Sequence, residues 1–166
     1  MTSTSNAVLA LSLAFVAAIS ANANAAPKSQ SLGRPQTAQT QRVDVIGTDY
    51  AYIVPKTIRA GHTEFQFENR GKQRHEIALV LARDGTTATE IVAAANAGLP
   101  APRLAEAYAK GSTIGALFAA PGTRSSAGLV VDLSHGQTYV IVCTLRDTPQ
   151  MPEHASMGMF HIIHVK

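Results

Sequence analysis

Four side chains, far apart in the sequence, carry donor atoms of the kind that bind a soft transition metal. Cys143, the single cysteine of the 166 residues, stands near the end of an apolar run, and His154 and Met159 follow it. His75 lies far upstream. Thiolate and thioether sulfur favour Cu(I), whereas imidazole nitrogen suits both oxidation states of copper. One Cys, two His and a weakly bound Met together form the ligand set of a blue copper site.

Strands must bring these residues together, because apolar and polar residues alternate over much of the sequence. His75 opens one alternating run, Cys143 lies near the end of another, and Met159 begins the last one. Strand patterns occur at 43–47, 63–71, 75–85, 128–133, 137–145 and 158–166. Short strands punctuated by turns indicate an antiparallel β-sandwich or barrel.

One stretch, at about 86–111, has helical rather than strand character. Its first part has Ala, Glu and Ile at helical spacing and ends at Gly98. Its second part begins with prolines and ends at Gly111. The sequence therefore predicts an all-β domain, residues 42–166, with a short helical insertion.

Two longer segments carry family-like motifs. One runs Y-V-I-V-C from Tyr139 to Cys143 and resumes at His154 as H-A-S-M-G-M-F-H-I-I-H-V. The other, residues 55–71, reads P-K-T-I-R-A-G-H-T-E-F-Q-F-E-N-R-G. These segments resemble the plastocyanin/azurin, or cupredoxin, family. The resemblance covers residues 42–166 apart from the insertion and implies a cupredoxin-like Greek-key β-sandwich.

The resemblance also implies a ligand set and an activity. It makes His75, Cys143 and His154 the equatorial ligands of one copper ion and Met159 the axial ligand, in a protein that transfers single electrons. The interval between Cys143 and His154 holds ten residues, T-L-R-D-T-P-Q-M-P-E. That interval is longer than in the small electron-transfer members, although longer ones occur in relatives such as the copper nitrite reductases.

The N-terminus is predicted to be a targeting segment. Residues 7–19, A-V-L-A-L-S-L-A-F-V-A-A-I, have the length of a signal-peptide core, and two A-x-A tripeptides follow them. We expect residues 1–25 to be a signal peptide, cleaved after Ala25 or Ala26, and 26–41 to be a flexible polar leader. The mature chain is then periplasmic or secreted. In such an oxidising compartment, a lone thiol is a liability unless it is shielded from oxidation or has a function.

Charge and motifs exclude several other functions. The net charge is +3, and the densest basic set is Arg70, Lys72 and Arg74, which has no accompanying aromatic platform for nucleic acid. We found no catalytic triad, phosphate loop, paired carboxylates or HExxH motif, so no enzyme activity is predicted. The sequence predicts a monomer without a membrane span in the mature chain, without a nucleic-acid partner, and with an unidentified redox partner.

Three functional hypotheses follow. In the first, the protein carries electrons, and His154 lies on an exposed loop where electrons leave, while Asp147 and Glu153 are solvated loop charges. In the second, a periplasmic Cu(I) carrier or chaperone uses Cys143 with nearby Met and His residues such as Met151. In the third, a metal-free cupredoxin-like module binds a partner through the insertion.

Overall fold

The computed structural model describes residues 39–98 and 106–166 of the chain. Within these residues, eight strands form two four-stranded sheets. The strands are β1 (Gln41–Thr48), β2 (Ala51–Ile53), β3 (Gly61–Asn69), β4 (His75–Ala82), β5 (Ala109–Ala119), β6 (Leu129–Leu133), β7 (Thr138–Val142) and β8 (Phe160–His164). The predicted signal peptide and most of the predicted leader lie outside the described residues.

The two sheets differ in the direction of their strands. The first has the order β2-β1-β3-β6, with β1 and β3 parallel and the other pairs antiparallel. The second has the order β5-β4-β7-β8 and is antiparallel throughout. The prediction of an all-β sandwich with a short helix is confirmed.

The core lies between the sheets and is mostly aliphatic, in keeping with an aromatic content of 5%. In β3, the alternating pattern turns Phe65 and Phe67 inward, and both are fully buried. In β4, Ile77 and Leu79 join the same core. Burial of these large side chains is the main source of stability for a sandwich of this kind.

The second sheet is covered on both faces: one face packs against the first sheet, and a second apolar cluster lies on the outer face. Burial on both faces explains the nearly continuous apolar run of β4. The outer face presents Ala78 and Val80 to the second cluster, which contains Ile91 and Tyr108. Ile91 belongs to helix α1 (Ala88–Asn96), which begins with a capping box between Thr87 and Glu90.

The insertion differs in part from its prediction. Helix α1 confirms the first predicted helix, whereas half of the second one, residues 100–105, lies outside the described residues. Strand β5 begins at Ala109 and takes in Lys110 and Gly111, which were expected to end a helix. Sequence reasoning missed β5 altogether because its first half is exposed and rich in small residues, so it has no clear alternation.

The strand ends position the site. His75 is the first residue of β4, and Cys143 directly follows the last residue of the neighbouring β7. Met159 directly precedes β8, and its carbonyl accepts a hydrogen bond from the Cys143 amide. His154 begins a single 3₁₀ turn, His154–Met157, between these two strands.

Candidate metal centre

Three of the four predicted ligands converge at one end of the sandwich. The Nδ1 atoms of His75 and His154 are 3.1 Å apart, and Sγ of Cys143 is 3.3 Å from Nδ1 of His154. The donor atoms of the three residues all lie within 4.8 Å of one another. All three side chains are buried, with 0% exposure.

The spacing of these donors fits a single metal ion. Metal–nitrogen distances of about 2.0 Å and metal–sulfur distances of about 2.3 Å place the donors of one tetrahedral ion roughly 3 to 4 Å apart. Two of the three separations, 3.1 and 3.3 Å, match that requirement, and the third is within 4.8 Å. One thiolate sulfur and two imidazole nitrogens are also a set that suits copper.

Hydrogen bonds to carboxylates fix the direction of both imidazoles. Nε2 of His75 lies 2.6 Å from Oδ1 of Asp49, and Nε2 of His154 lies 2.9 Å from Oδ1 of Asp147. An ionised carboxylate accepts hydrogen bonds only, so each Nε2 donates. Each Nδ1 is thereby turned toward the shared centre, which is the usual role of outer partners in metal sites.

The loop before β4 holds Asp49 in place. Its carboxylate accepts hydrogen bonds from the amides of Lys72 and Gln73. Burial opposes ionisation of Asp49, but these two bonds and the one from His75 outweigh it and lower its pKa.

Gly71 lies against this pair of partners. A Cβ at position 71 would be 2.2 Å from Oδ1 of Asp49 and 2.9 Å from Nε2 of His75. The contact explains why the residue in N-R-G before His75 is glycine: the hydrogen bond occupies the space that a side chain would need.

A network of backbone bonds brings His154 back to Cys143 across the ten-residue interval. The His154 amide donates to the Leu145 carbonyl, and the Ala155 amide donates to the Cys143 carbonyl. At the start of the interval, the Glu76 carboxylate accepts from the amide and hydroxyl of Thr144. Hydrogen bonds therefore hold the ten-residue interval in place at both of its ends.

The thiol and the second imidazole are strongly influenced by burial. Burial raises the pKa of Cys143 to about 12. Burial also lowers the pKa of His154, against the opposing effect of its hydrogen bond to Asp147. Both effects favour the uncharged forms in the absence of a metal cation.

Tyr50 covers the two imidazoles from the outside. Its ring centroid is 4.8 Å from that of His154 and 5.9 Å from that of His75. Its hydroxyl donates to Asp147, and this bond raises the pKa of Tyr50 to about 12.

Met159 is buried beside the cluster. Its amide donates to the His154 carbonyl. Its methyl group would lie 3.3 Å from a Cβ added at Gly47, so the side chain reaches β1. The axial role predicted for Met159 remains a prediction.

Two expectations about the loop are wrong. His154 was expected on an exposed loop, but it is fully buried and its outer nitrogen is bound to Asp147. Asp147 and Glu153 were expected to be solvated. Asp147 binds His154 and Tyr50, and Glu153 is 4% exposed and paired with Arg146. Only the contact between Asp147 and Tyr50 joins distant parts of the chain, and the other two fold the loop back on itself.

Sequence reasoning also missed Asp49, Tyr50 and Gly71. The available signal was weak: Asp49 and Tyr50 follow a strand pattern, and Gly71 closes N-R-G shortly before His75. None of these features distinguishes a site residue from an ordinary turn residue.

No protein-family model matches the sequence, and no curated protein matches it. Solved structures do. Auracyanin from Roseiflexus castenholzii is 22% identical, with a TM-score of 0.47, and the match covers 76% of this chain and 96% of that one. Auracyanin A from Chloroflexus aurantiacus, a "blue" copper protein, is 17% identical, with a TM-score of 0.47, over 77% of this chain and 100% of its own. Rusticyanin from Thiobacillus ferrooxidans is 19% identical, with a TM-score of 0.47, over 76% of this chain and 77% of its own.

These structures are cupredoxins, the family that the motifs of this sequence resemble. At such identities and TM-scores, the metal centre must be judged from the residues of this chain. In the described residues, no helix is long and apolar enough to cross a membrane.

Proposed function

We propose that this chain is an exported protein that binds one copper ion in a type-1-like site and transfers single electrons. His75, Cys143 and His154 are the equatorial ligands, and Met159 is the axial ligand. The supporting observation is the convergence of two Nδ1 atoms and one Sγ within 4.8 Å, fully buried. Export is proposed from the apolar run 7–19 and the A-x-A tripeptides behind it.

The rigidity of the surroundings favours electron transfer over metal delivery. Both imidazoles are fixed through their outer nitrogens, and the interval before His154 is pinned at both ends. A rigid, buried set of donors changes little between oxidation states of the ion. When bound, copper supplies the one-electron redox couple, and the chain's own residues orient the donors and exclude water.

A Cu(I) carrier would use a different set of residues. It would combine Cys143 with methionines such as Met151, which is exposed on the loop before His154. It would favour Cu(I) and give no stable coloured Cu(II) form. The exposed position of Met151 makes it a useful control.

The experiment is a Cu(II) titration of the mature protein, followed by absorption spectroscopy. We expect one equivalent to give an intense blue band in the wild type and in Met151→Leu. Cys143→Ser should lose that band, since no other thiol exists in the chain. A band that survives in Cys143→Ser contradicts the proposal. Loss of Cu(I) affinity in Met151→Leu would favour the carrier.

A further inference from the structure

We propose that electrons enter and leave the centre through the ring of Tyr50, and that the loop of residues 70–74 forms a cationic rim for an acidic redox partner. The inference rests on the proposed function, because it needs a redox-active copper in the centre. It replaces the expectation that the edge of His154 is the exit.

The first step concerns the imidazole edges, which are closed. His75 and His154 are both 0% exposed. The outer nitrogen of each is occupied by a carboxylate, from Asp49 and Asp147 respectively. A partner therefore has no direct access to either ring.

The second step concerns Tyr50, which is half-buried and in contact with both rings. Its hydroxyl also binds Asp147, which in turn holds His154. Tyr50 thus gives a continuous path of close contacts from the protein surface to two of the predicted ligands.

The third step concerns charge beside Tyr50. Asp49 directly precedes Tyr50, and its carboxylate accepts a hydrogen bond from the amide of Lys72. The loop of residues 70–74 therefore lies next to Tyr50. The side chains of Arg70, Lys72 and Arg74 are all exposed. We call these three residues the basic rim.

The acidic groups at this end are already engaged by other residues. The carboxylates of Asp49 and Asp147 bind the imidazoles, and their side chains are 25% and 13% exposed. Glu68 is paired with both Arg70 and Arg124. Lys72 contributes an exposed positive charge next to the ring.

An exposed aromatic residue extends the same surface. The guanidinium of Arg74 lies 5.5 Å from the ring centroid of Phe118, and Phe118 is 46% exposed. Phe118 adds an apolar contact to this surface, and the charges beside it give electrostatic complementarity a role in the choice of partner. Charge complementarity selects a partner with acidic residues around its own exposed redox group.

The test uses the full mature protein loaded with Cu(I), oxidised in stopped flow by anionic hexacyanoferrate(III). One electron passes from Cu(I) to Fe(III), which yields Cu(II) and hexacyanoferrate(II), and no bond forms or breaks. Rates are compared at equal driving force, after the potential of each variant has been measured. The cationic oxidant tris(phenanthroline)cobalt(III) serves as the charge-reversed probe.

Two pairs of variants separate the ring from the charge. Tyr50→Phe keeps the ring and removes only the hydroxyl bond to Asp147, so it should slow oxidation less than Tyr50→Leu, which should slow it several-fold. Lys72→Glu should slow oxidation of the protein by hexacyanoferrate(III) roughly tenfold at low salt and should accelerate its oxidation by the cobalt complex. Lys166→Glu makes the same charge change beyond β8, at the far end from the centre, and should have little effect on either.

Several outcomes would overturn the inference. Tyr50→Leu could be oxidised as fast as the wild type, or faster, which would make Tyr50 a cover rather than a path. Lys72→Glu and Lys166→Glu could change the rates equally, which would mean that only net charge matters. If every variant shows the blue band and one of these two outcomes is found, only this inference is contradicted. If the wild type itself shows no blue band, the proposed function is contradicted as well.

Discussion

Asp147 accepts a hydrogen bond, 2.9 Å long, from Nε2 of His154, and this bond holds the imidazole of a predicted ligand from behind. Asp49 does the same for His75. Both outer partners carry a full negative charge when ionised, so they strengthen the imidazoles as donors and stabilise the more highly charged Cu(II).

Replacing Asp147 by Asn should therefore raise the reduction potential. A hydrogen bond to a charged group is worth about 1 kcal/mol more than a neutral one, so the shift is at most roughly 40 mV for one electron, reached when the whole difference acts on Cu(II). Voltammetry of the copper-loaded variant measures this shift. The control is Asp84→Asn, which removes the same charge from an exposed residue paired with Lys110. An unchanged or lower potential in Asp147→Asn would contradict the role assigned to Asp147.

Substitution of Gly71 by Ala should weaken copper binding. The new Cβ would lie 2.2 Å from Oδ1 of Asp49 and 2.9 Å from Nε2 of His75, so the bond between these residues must break or shift. Loss of an outer partner typically costs roughly tenfold to 100-fold in metal affinity. Competition with a chelator of known affinity gives the dissociation constant.

Gly128→Ala is the matched control for that substitution. The three atoms nearest to a Cβ at Gly128 would be Oε1 and Cγ of Glu64 and Nε2 of Gln66, all in flexible side chains. These side chains can move away at low cost, so copper affinity should stay unchanged. Equal losses in the two variants would mean that Gly71 has no specific role at the centre.

Helix α1 should lose stability when its cap is removed. The Thr87 side chain accepts a hydrogen bond from the Glu90 amide, and the Glu90 carboxylate accepts one from the Thr87 amide. Thr87→Ala should lower the free energy of unfolding by about 1 kcal/mol. Urea denaturation of the metal-free protein checks this value.

A control for the cap lies two residues further on. Thr89 is exposed in the first turn of α1, and Thr89→Ala makes the same chemical change without touching the capping box. It should leave stability unchanged or raise it slightly, because Ala has the higher helix propensity. If Thr89→Ala is as destabilising as Thr87→Ala, the capping box contributes nothing measurable.

Removal of copper should lower the thermal stability. A ligand that binds only the folded state stabilises it by about 2.7 kcal/mol at a free concentration 100 times its dissociation constant. Calorimetry with copper, and again after dialysis against a chelator, gives the difference. In Cys143→Ser the difference should shrink strongly, and an equal difference in wild type and variant would place the copper elsewhere.

The fold was largely accessible from the sequence where alternation is clean. β3 and β4 show this, because Phe65, Phe67, Ile77 and Leu79 repeat with a period of two and form the core. β5 was not accessible, because small and exposed residues at its start carry no periodic signal.

Of the candidate site, only the proposed metal ligands themselves could be predicted from the sequence. Cys143 and the two histidines were predicted from their chemical types and motifs, and the structure brings all three together. The burial of His154 depends on contacts with Tyr50 and Asp147, and the contact with Tyr50 joins parts of the chain that are far apart in sequence. Such contacts follow from the packed fold and not from local composition.

The most direct test of the account is the absorption and EPR spectrum of the mature protein with one equivalent of Cu(II). The account predicts an intense blue charge-transfer band from the Cys143 thiolate and an EPR signal of copper bound to a thiolate. A pale, ordinary Cu(II) spectrum would contradict it, because Cys143 would then not be a ligand of Cu(II).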